Sequence, residues 1–243
     1  SRSKLKFYRG LHGKKFRRQE GLFLAEGIKA VQEALSAGWK PEAVITEDAF
    51  PEHILTSLSG PPFEWLACST EDFHSLSTHE SPEGILAVFS IPPPPPFDPE
   101  QRALILDGVS DPGNLGTLIR IADWYAIPQI LRLPGTAEPW NPKVIRSSMG
   151  SIFRIDICED LPAGIPLSPF TLVADMEGTP AREADWKSCR YLVLGGEAAG
   201  VRSQSLSALP KVTIPRRGKA ESLNVGVAAG ILSAEWDRAR SPG

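Results

Sequence analysis

The chain has 243 residues, of which 42% are hydrophobic and 23% charged, and its formal net charge is −3. These values are typical of a globular protein with a core of its own, and they exclude disordered, fibrous and membrane-spanning classes. Its cysteines, Cys68, Cys158 and Cys189, lie far apart, which favours free thiols in a reducing compartment, the cytoplasm, over a disulfide framework. We expect neither a transmembrane helix nor a secretory signal.

The charge is distributed unevenly along the chain. Residues 1–20 contain eight lysines and arginines and one acid, a net charge of +7, while the rest of the chain carries −10. Aromatic residues lie between these cations, and cations for phosphates beside rings for base stacking suit RNA. A solvated basic tail is the alternative, because charge runs often serve only solubility. The candidate RNA-binding residues here are Arg2, Lys4, Lys6, Arg9, Lys14, Lys15, Arg17 and Arg18.

The first part of the chain alternates short apolar strands with helices. The patterns predict strands at 22–25, 43–46, 63–67 and 85–89 and helices at 28–37, 52–58 and 71–76. Five consecutive prolines at 92–96 then interrupt regular structure, because proline has no amide hydrogen to donate. We therefore predict a small α/β/α domain at 1–91, a proline-rich linker at 92–100 and a second domain at 101–243.

The second part alternates again. The patterns predict strands at 103–106, 129–133, 153–157, 172–174, 191–194 and 211–214 and helices at 115–125, 142–150 and 222–238. Short apolar runs separated by helices indicate a parallel sheet covered on both faces. Ligands of such sheets bind at the carboxyl ends of the strands, where three loops, 107–116, 195–200 and 215–224, are rich in glycine and polar residues.

The loop GGEAAGVRS does not fit a nucleotide-phosphate site. Gly195 and Gly200 have the spacing of a Walker A motif, but Val201 stands where its lysine belongs. The dinucleotide fingerprint fails as well, because Glu197 replaces its second glycine. A carboxylate inside a glycine turn suits a ligand with hydroxyls or a positive charge.

The polar residues of the other two loops each have a structural alternative. Asn114 could cap the helix that follows it, Arg120 could be a surface charge, and Ser222 could cap the last helix. That last helix carries an apolar stripe and a run of small residues that favour a tight helix contact: Leu223, Val227, Ile231 and 228–230.

Three segments, in this order, resemble the sequence motifs of the SpoU (TrmH-like) family of RNA ribose 2′-O-methyltransferases, within the SPOUT superfamily. They are LDGVSDPGNLGTLIRIADWYAI, YLVLGGEAAGV and VTIPRRGKAESLNVGVAAGI. KVIRSSMGSIFRI resembles the family's segment between the first two motifs. KLKFYRGLHGKKFRRQEGLFLAEGIKAVQEAL resembles the L30e-like RNA-binding domain that precedes the catalytic domain in many members. The resemblance covers nearly the whole chain.

The resemblance implies a fold, a cofactor and an assembly. The fold is a parallel α/β sheet whose C-terminal segment forms a deep trefoil knot, and members are generally homodimers with active sites near the interface. The cofactor is S-adenosylmethionine, held by the second and third motif loops, which by position gives Leu194, Gly195, Gly196, Ile214, Pro215 and Leu223. No metal is implied, and the four histidines, His12, His53, His74 and His79, show no ligand spacing.

The resemblance also assigns the polar motif residues Asn114, Arg120, Glu197, Ser222 and Asn224 to the active site. A ribose hydroxyl is a poor nucleophile until a base shares its proton, whereas the methyl group is already activated by the cofactor. Arg120 would activate or orient the 2′-OH and Asn114 would position it. Ser222 and Asn224 would shape the ribose and methionine pockets, and Glu197 would orient its neighbours.

One position departs from the family, and the substrate has alternatives. The family usually has Met after Ile-Pro in the third motif, where this chain has Arg216, a further candidate for contact with RNA phosphate. Members with an added N-terminal domain favour ribosomal RNA over transfer RNA. Transfer RNA, a noncatalytic RNA-binding protein and a base methyltransferase of the guanine-N1 branch remain alternatives. The SLN triplet at 222–224 favours ribose over base.

Overall fold

The computed structural model describes residues 2–51, 53–54, 63–159, 167–197 and 200–240. It contains two compact units, one formed by Ser1–Pro93 with Glu138–Arg154 and the other by Pro94–Ala137 with Ile155–Gly243. The five prolines lie outside helices and strands. The domain boundaries at 1–91, 92–100 and 101–243 stay a prediction, to which the packing adds that residues 138–154 belong with the first unit.

The first part of the chain contains four described helices and four strands. They are α1 (Arg2–Gly10), α2 (Lys14–Glu20), β1 (Leu22–Glu26), α3 (Ile28–Ser36), β2 (Pro41–Glu47), β3 (Glu64–Cys68), α4 (Thr70–Leu76) and β4 (Ile85–Ser90). The sheet order is β1-β4-β2-β3, with β2 and β3 parallel and the other neighbours antiparallel. The predicted strands are confirmed, and the helix predicted at 52–58 falls outside the described residues except for 53 and 54.

The second part supplies a six-stranded sheet. Its elements are β5 (Ala103–Asp107), α5 (Pro112–Trp124), β6 (Gln129–Arg132), α6 (Pro142–Ser148), a 3-10 turn (Ser151–Phe153), β7 (Asp156–Cys158), β8 (Thr171–Pro180), β9 (Tyr191–Gly195), α7 (Gln204–Ser207), β10 (Lys211–Thr213) and α8 (Val225–Arg238). All strand pairs are parallel, in the order β10-β8-β9-β5-β6-β7. This confirms the predicted α/β class with a parallel sheet.

The predicted element boundaries on both sides of the 3-10 turn are wrong. The strand expected at 153–157 begins only at Asp156, because Ser151–Phe153 form a 3-10 turn. Helix α6 ends at Ser148 rather than at 150, because Met149 and Gly150 both adopt a positive φ, which a right-handed helix does not contain.

The basic N-terminal segment is folded and is not a solvated tail. Helix α1 is amphipathic: Tyr8, and Leu11 directly after the helix, are buried in one core cluster with Phe73 and Leu76 of α4. Phe16 of α2 packs against the same cluster. The apolar positions 5, 8 and 11 repeat at helical spacing, and the cations between them obscure that signal in the sequence.

The four-stranded sheet is covered on both faces. Side chains alternate along a strand, so Leu24 of β1 joins the cluster with α1 and α4, while its neighbour Phe23 faces the opposite side. There Phe23 packs against Trp39, Trp140 and Phe153, and the indole Nε1 of Trp39 donates to the carbonyl of Phe153 at 3.0 Å. The first unit is therefore a layered α/β/α body, as predicted, and residues 138–154 supply part of one layer.

The parallel sheet is irregular at its edge. Val173 and Thr179 of β8 pair with the consecutive residues Lys211 and Val212, so residues 174–178 bulge out of the ladder. Helices α5 and α8 pack side by side, and a Cβ on Gly226 would lie only 2.8 Å from Cγ2 of Thr117. Within the described ranges, no helix has the length and apolar character needed to cross a membrane.

The three cysteines are free and buried. Burial raises the pKa of Cys68 and Cys158 to about 11 and that of Cys189 to about 12. The thiolate is the reactive form of cysteine, so these thiols are poor nucleophiles at neutral pH.

Candidate functional site

Helix α5 begins three residues before the predicted start. The side chain of Asp111 caps it, with its Oδ1 accepting from the backbone N–H of Asn114 at 2.9 Å, and Pro112 takes the first helical turn. The alternative that Asn114 caps this helix is therefore wrong. Its side-chain amide is available for other contacts.

Helix α8 is capped by Asn224, whose Oδ1 accepts from the backbone N–H groups of Gly226 at 2.9 Å and Val227 at 3.4 Å. The alternative of a Ser222 cap is wrong, and the predicted start at 222 lies three residues too early. Because its Oδ1 is held by the helix, the Nδ2 group of Asn224 points in a fixed direction.

Asn114, Glu197 and Asn224 form a closed triangle of hydrogen bonds. The Nδ2 groups of both asparagines donate to Oε1 of Glu197 at 2.9 Å, and Asn224 Nδ2 also donates to Asn114 Oδ1 at 2.9 Å. Each residue comes from a different predicted loop, so the structure brings together three of the five polar motif residues. The carboxylate is anchored through Oε1, and among the described residues its Oε2 accepts no hydrogen bond.

A cavity of about 430 Å³ opens beside this triangle and is lined by Glu197. Its volume lies within the range of roughly 300–1,000 Å³ usual for small-molecule sites. All six residues predicted to bind the cofactor line it, together with two further candidates: Leu194, Gly195, Gly196, Ile214, Pro215, Leu223, Ser222 and Arg216. The sequence prediction missed Asp175 and Met176, which reach the cavity because β8 bulges there.

Asp107 holds the glycine loop in place and is a residue that sequence reasoning missed. Only 4% of its surface is exposed, and its Oδ2 accepts from the backbone N–H groups of Arg202 at 2.7 Å and Ser203 at 2.8 Å. Its own carbonyl accepts from Gly196 N–H at 3.1 Å. The end of β5 therefore fixes both ends of the loop that lines the cavity. Its place at the end of a predicted strand is the signal that could have identified it.

The glycines of this loop are required by close backbone contacts. A Cβ on Gly195 would clash with the backbone of Gly200 and Val201, and a Cβ on Gly196 with the carbonyl of Gly108. Side chains at these positions would force these backbone segments apart, so the close packing of the loop depends on both glycines.

We expect Gly195→Ala to lower the free energy of unfolding by about 1–3 kcal/mol, because the added methyl must displace backbone. Gly218→Ala is the matched control: it also lines the cavity, but a Cβ there meets no atom within 4 Å. Denaturant unfolding of both variants measures the difference. If Gly195→Ala and Gly218→Ala have the same free energy of unfolding, the backbone around Gly195 can accommodate a methyl group without cost.

Arg120 lies apart from the other polar motif residues. It is exposed on α5, does not line the cavity, and has no hydrogen-bonding or ion-pairing partner in the part of the chain that the structure describes. Six residues after Asn114, it lies on a different face of the helix. Within one chain, the structure does not bring it to the triangle.

The cations predicted to bind RNA have different environments. Six of them are exposed: Lys4, Lys6, Arg9, Lys14, Lys15 and Arg18. Lys4 pairs with Glu64 at 2.5 Å. Arg17 is 1% exposed and pairs with Glu138, so its assignment as an RNA-binding residue is wrong. The side chain of Arg2 falls outside the described structure. At the cavity, Arg216 donates to the carbonyl of Ala220 at 3.3 Å.

Among the described residues, no group of three or more His, Cys, Asp or Glu side chains is placed to hold a metal ion. The polar chemistry of the cavity instead consists of the carboxylates of Asp175 and Glu197, the hydroxyls of Thr213 and Ser222, the guanidinium groups of Arg216 and Arg217, and the main chain. The carboxylates and hydroxyls can bind a ligand that carries hydroxyls, amines or a positive charge, and the guanidinium groups can bind a negatively charged group.

Comparison with known proteins gives consistent matches over nearly the whole chain. The profile of the SpoU rRNA methylase family matches residues 101–234, and that of the MRM3-like substrate binding domain matches residues 2–87. The 23S rRNA (guanosine(2553)-2′-O)-methyltransferase RlmP of Bacillus subtilis is 33% identical over 241 residues, covering 94% of each chain.

Two solved structures share the fold. A Porphyromonas gingivalis protein assigned to the TrmH family of RNA methyltransferases is 34% identical with a TM-score of 0.85, covering 98% of both chains. An AdoMet-bound rRNA methyltransferase from Sinorhizobium meliloti is 27% identical with a TM-score of 0.83, covering 98% of this chain and 95% of the other.

Proposed function

This chain belongs to the SpoU rRNA methylase family, and from that membership we propose that it methylates a ribose 2′-OH in ribosomal RNA. It is an S-adenosylmethionine-dependent RNA methyltransferase. The observation that carries the assignment is the cavity, where all six residues of the predicted cofactor loops meet beside the Asn114–Glu197–Asn224 triangle. The ribosomal substrate is supported by the activity named for the Bacillus subtilis relative.

The cavity fits S-adenosylmethionine in size and in chemistry. Leu194, Ile214 and Leu223 supply apolar walls, and Gly195 and Gly196 line the same cavity. When bound, the cofactor supplies a methyl group already activated by its sulfonium. Glu197 places a carboxylate on the cavity wall, which can attract the positive sulfonium of the cofactor, and Arg216 and Arg217 on the same wall can attract its carboxylate.

The triangle would position the acceptor ribose. Asn224 is locked by the start of α8 and Asn114 by the start of α5, so Glu197 is held at one oxygen and can accept from a substrate hydroxyl at the other. Such pre-ordered groups lower the barrier by orienting the hydroxyl before reaction. Ser222 lines the same cavity and would complete the polar wall.

Arg120 would act on the 2′-OH of a site in a second protomer. It does not line the cavity of its own chain, and a group that activates the hydroxyl must reach it. A homodimer is supported by exposed apolar side chains on α5, on α8 and directly before α8: Trp124 at 81% exposed, Val227, Ile231 and Leu223. The guanidinium would orient the hydroxyl and stabilise the negative charge that develops on its oxygen.

The deep trefoil knot and the cytoplasmic location stay part of this proposal. The knot is supported by the strand order, in which β10 lies at the edge of the sheet while the chain returns to place α8 beside α5. Threading is rare in proteins, and family membership is the reason to propose it for this chain. The cytoplasm is supported by the three free cysteines and by a ribosomal RNA substrate.

A methyl-transfer assay tests the function. Unmodified 23S rRNA and unmodified tRNA transcripts are incubated with tritiated S-adenosylmethionine, and the labelled nucleosides are identified by mass spectrometry. We expect a 2′-O-methylated nucleoside from the 23S transcript. Label in tRNA alone would show that transfer RNA, and not ribosomal RNA, is the substrate. A base-methylated nucleoside would contradict methylation of the ribose. No transfer to any RNA would favour a noncatalytic RNA-binding protein.

The exposed cations of α1 and α2 are proposed to bind the RNA backbone. We expect Lys14→Gln/Lys15→Gln to weaken RNA binding and to lower the slope of log affinity against log salt by about 1.4–1.8, since each lost phosphate contact removes about 0.7–0.9. Truncation is avoided because Tyr8 and Leu11 belong to the core.

Lys40→Gln/Lys187→Gln is the matched control for that pair. It removes the same charge from two exposed lysines that have no ion-pair partner among the described residues. Fluorescence anisotropy with a labelled oligoribonucleotide at several salt concentrations gives both slopes. If the two variants behave alike, only the total charge matters and the helices are not the RNA-binding surface.

A further inference from the structure

Arg202 lies in a slot between two glycines. A Cβ on Gly108 would be 2.9 Å from its Nε, and a Cβ on Gly135 would be 2.8 Å from its Nη1. Both glycines also have a positive φ, of 75° and 85°. Any other residue at these positions would enter the space that the guanidinium occupies, so the arginine is held against main chain at the ends of two neighbouring strands, β5 and β6.

The backbone of Arg202 is fixed as firmly as its side chain. Its N–H donates to the buried carboxylate of Asp107 at 2.7 Å, and the same carboxylate binds Ser203. The residue before it, Val201, lines the cofactor cavity, whereas Arg202 turns outward over Gly108. The guanidinium therefore lies just outside the loop whose inner side forms the cavity.

The guanidinium is nevertheless unpaired. Arg202 is exposed, and across the described ranges its side chain has no hydrogen-bond or ion-pair partner. The two acids that hold the loop bind other groups: Asp107 accepts from two backbone N–H groups, and Oε1 of Glu197 accepts from two asparagines. An arginine that is ordered by packing has already lost most of its rotamer freedom, so a ligand that binds it loses less conformational entropy.

The chemistry of the RNA substrate indicates which group the guanidinium of Arg202 binds. In RNA, the carbon that bears the 2′-OH is bonded to the carbon that bears the 3′-phosphodiester. Any internal ribose that presents its 2′-OH to this cavity therefore brings a phosphate to the cavity's outer edge. A guanidinium is planar and binds phosphate oxygens through two parallel N–H groups.

We propose that Arg202 is a substrate-binding residue that holds an RNA phosphate next to the methylated ribose. This inference rests on the proposed function for the identity of the ribose, but it concerns a residue outside the predicted site. It gives the enzyme a phosphate contact at the reaction centre, in addition to the cations of α1 and α2.

The test compares Arg202→Ala and Arg202→Lys with Arg182→Ala, an exposed arginine of the same unit that does not line the cavity and has no partner among the described residues. Affinity for a fluorescein-labelled single-stranded oligoribonucleotide is measured against salt, and affinity for S-adenosylmethionine by calorimetry. Arg202→Ala should bind the RNA about tenfold more weakly, with a salt slope lower by about 0.7. Arg202→Lys should keep the slope and regain part of the affinity, and all variants should bind the cofactor as the wild type does.

Three results would overturn the proposal. The first is that Arg202→Ala has the same RNA affinity as Arg182→Ala. The second is that Arg202→Ala loses affinity for S-adenosylmethionine as well as for RNA, and the third is that it changes the oligomeric state, which would indicate that Arg202 contacts a second copy of the chain. The methyl-transfer assay tests the proposed function separately. If the wild-type protein transfers no methyl group but Arg202→Ala still binds RNA more weakly, the proposed function is wrong and the proposed phosphate contact is supported.

Discussion

Arg120→Ala is expected to lower the rate of methyl transfer to ribosomal RNA by about 10²- to 10⁴-fold, the usual contribution of a positioned acid–base or hydrogen-bonding group. Stability and cofactor affinity should not change, because the side chain is exposed, has no partner among the described residues and does not line the cavity. The loss should fall on kcat rather than on the KM for S-adenosylmethionine. Turnover near that of the wild type would remove Arg120 from the mechanism.

A mixing experiment tests where Arg120 acts. Arg120→Ala and Glu197→Ala protomers are each inactive in the proposed mechanism, but a mixed dimer contains one cavity with an intact Glu197 facing an intact Arg120 of the other chain. Random exchange makes half of the dimers mixed, so about a quarter of the wild-type activity should return. If both residues act within one chain, no activity returns.

Arg17→Ala is expected to cost about 3–5 kcal/mol of folding stability, the usual result of removing one member of a buried ion pair. The guanidinium of Arg17 donates to both carboxylate oxygens of Glu138, at 3.3 and 2.5 Å, and also to the carbonyls of Leu11 and His12 at 2.8 and 2.7 Å. Truncation leaves all four acceptors without their donor, with the Glu138 carboxylate only 8% exposed.

Arg18→Ala is the control, because the neighbouring arginine is exposed and should change stability by no more than about 0.5 kcal/mol. Urea unfolding at neutral pH measures both. The double substitution Arg17→Met/Glu138→Leu should recover most of the loss, since it removes the unpaired charge along with its partner. If Arg17→Ala unfolds at the same urea concentration as Arg18→Ala, the ion pair does not hold this unit together.

Sequence patterns predicted the elements whose signals are local. The runs at β5 and β9 are apolar throughout because both faces of the parallel sheet are covered, and such runs are recognisable without any tertiary information. Helix starts were harder to place. Asp111 and Asn114 are both good caps, and only the tertiary contact of Asn114 with Glu197 decides which one serves the helix.

The site was predictable where it consists of the loops themselves, and not where it depends on distant residues. The six cofactor residues share one cavity because the carboxyl ends of parallel strands meet at one edge. The charge pattern groups Arg17 with its exposed neighbours as an RNA-binding residue. Its ion-pair partner Glu138 is 121 positions away, so no local sequence pattern could predict that Arg17 is buried. The same limit hid Arg202, whose slot is made by glycines of two other loops.

The inclusion of residues 138–154 in the first unit restricts how this protein can be divided or recombined. An exchange of residues 1–91 between two relatives would separate Arg17 from its own Glu138 and Trp39 from its own Trp140 and Phe153. The two stretches therefore form one packing unit, although the linear order of the chain separates them. A functional chimera needs both exchanges at once, with two crossover points inside the methyltransferase half.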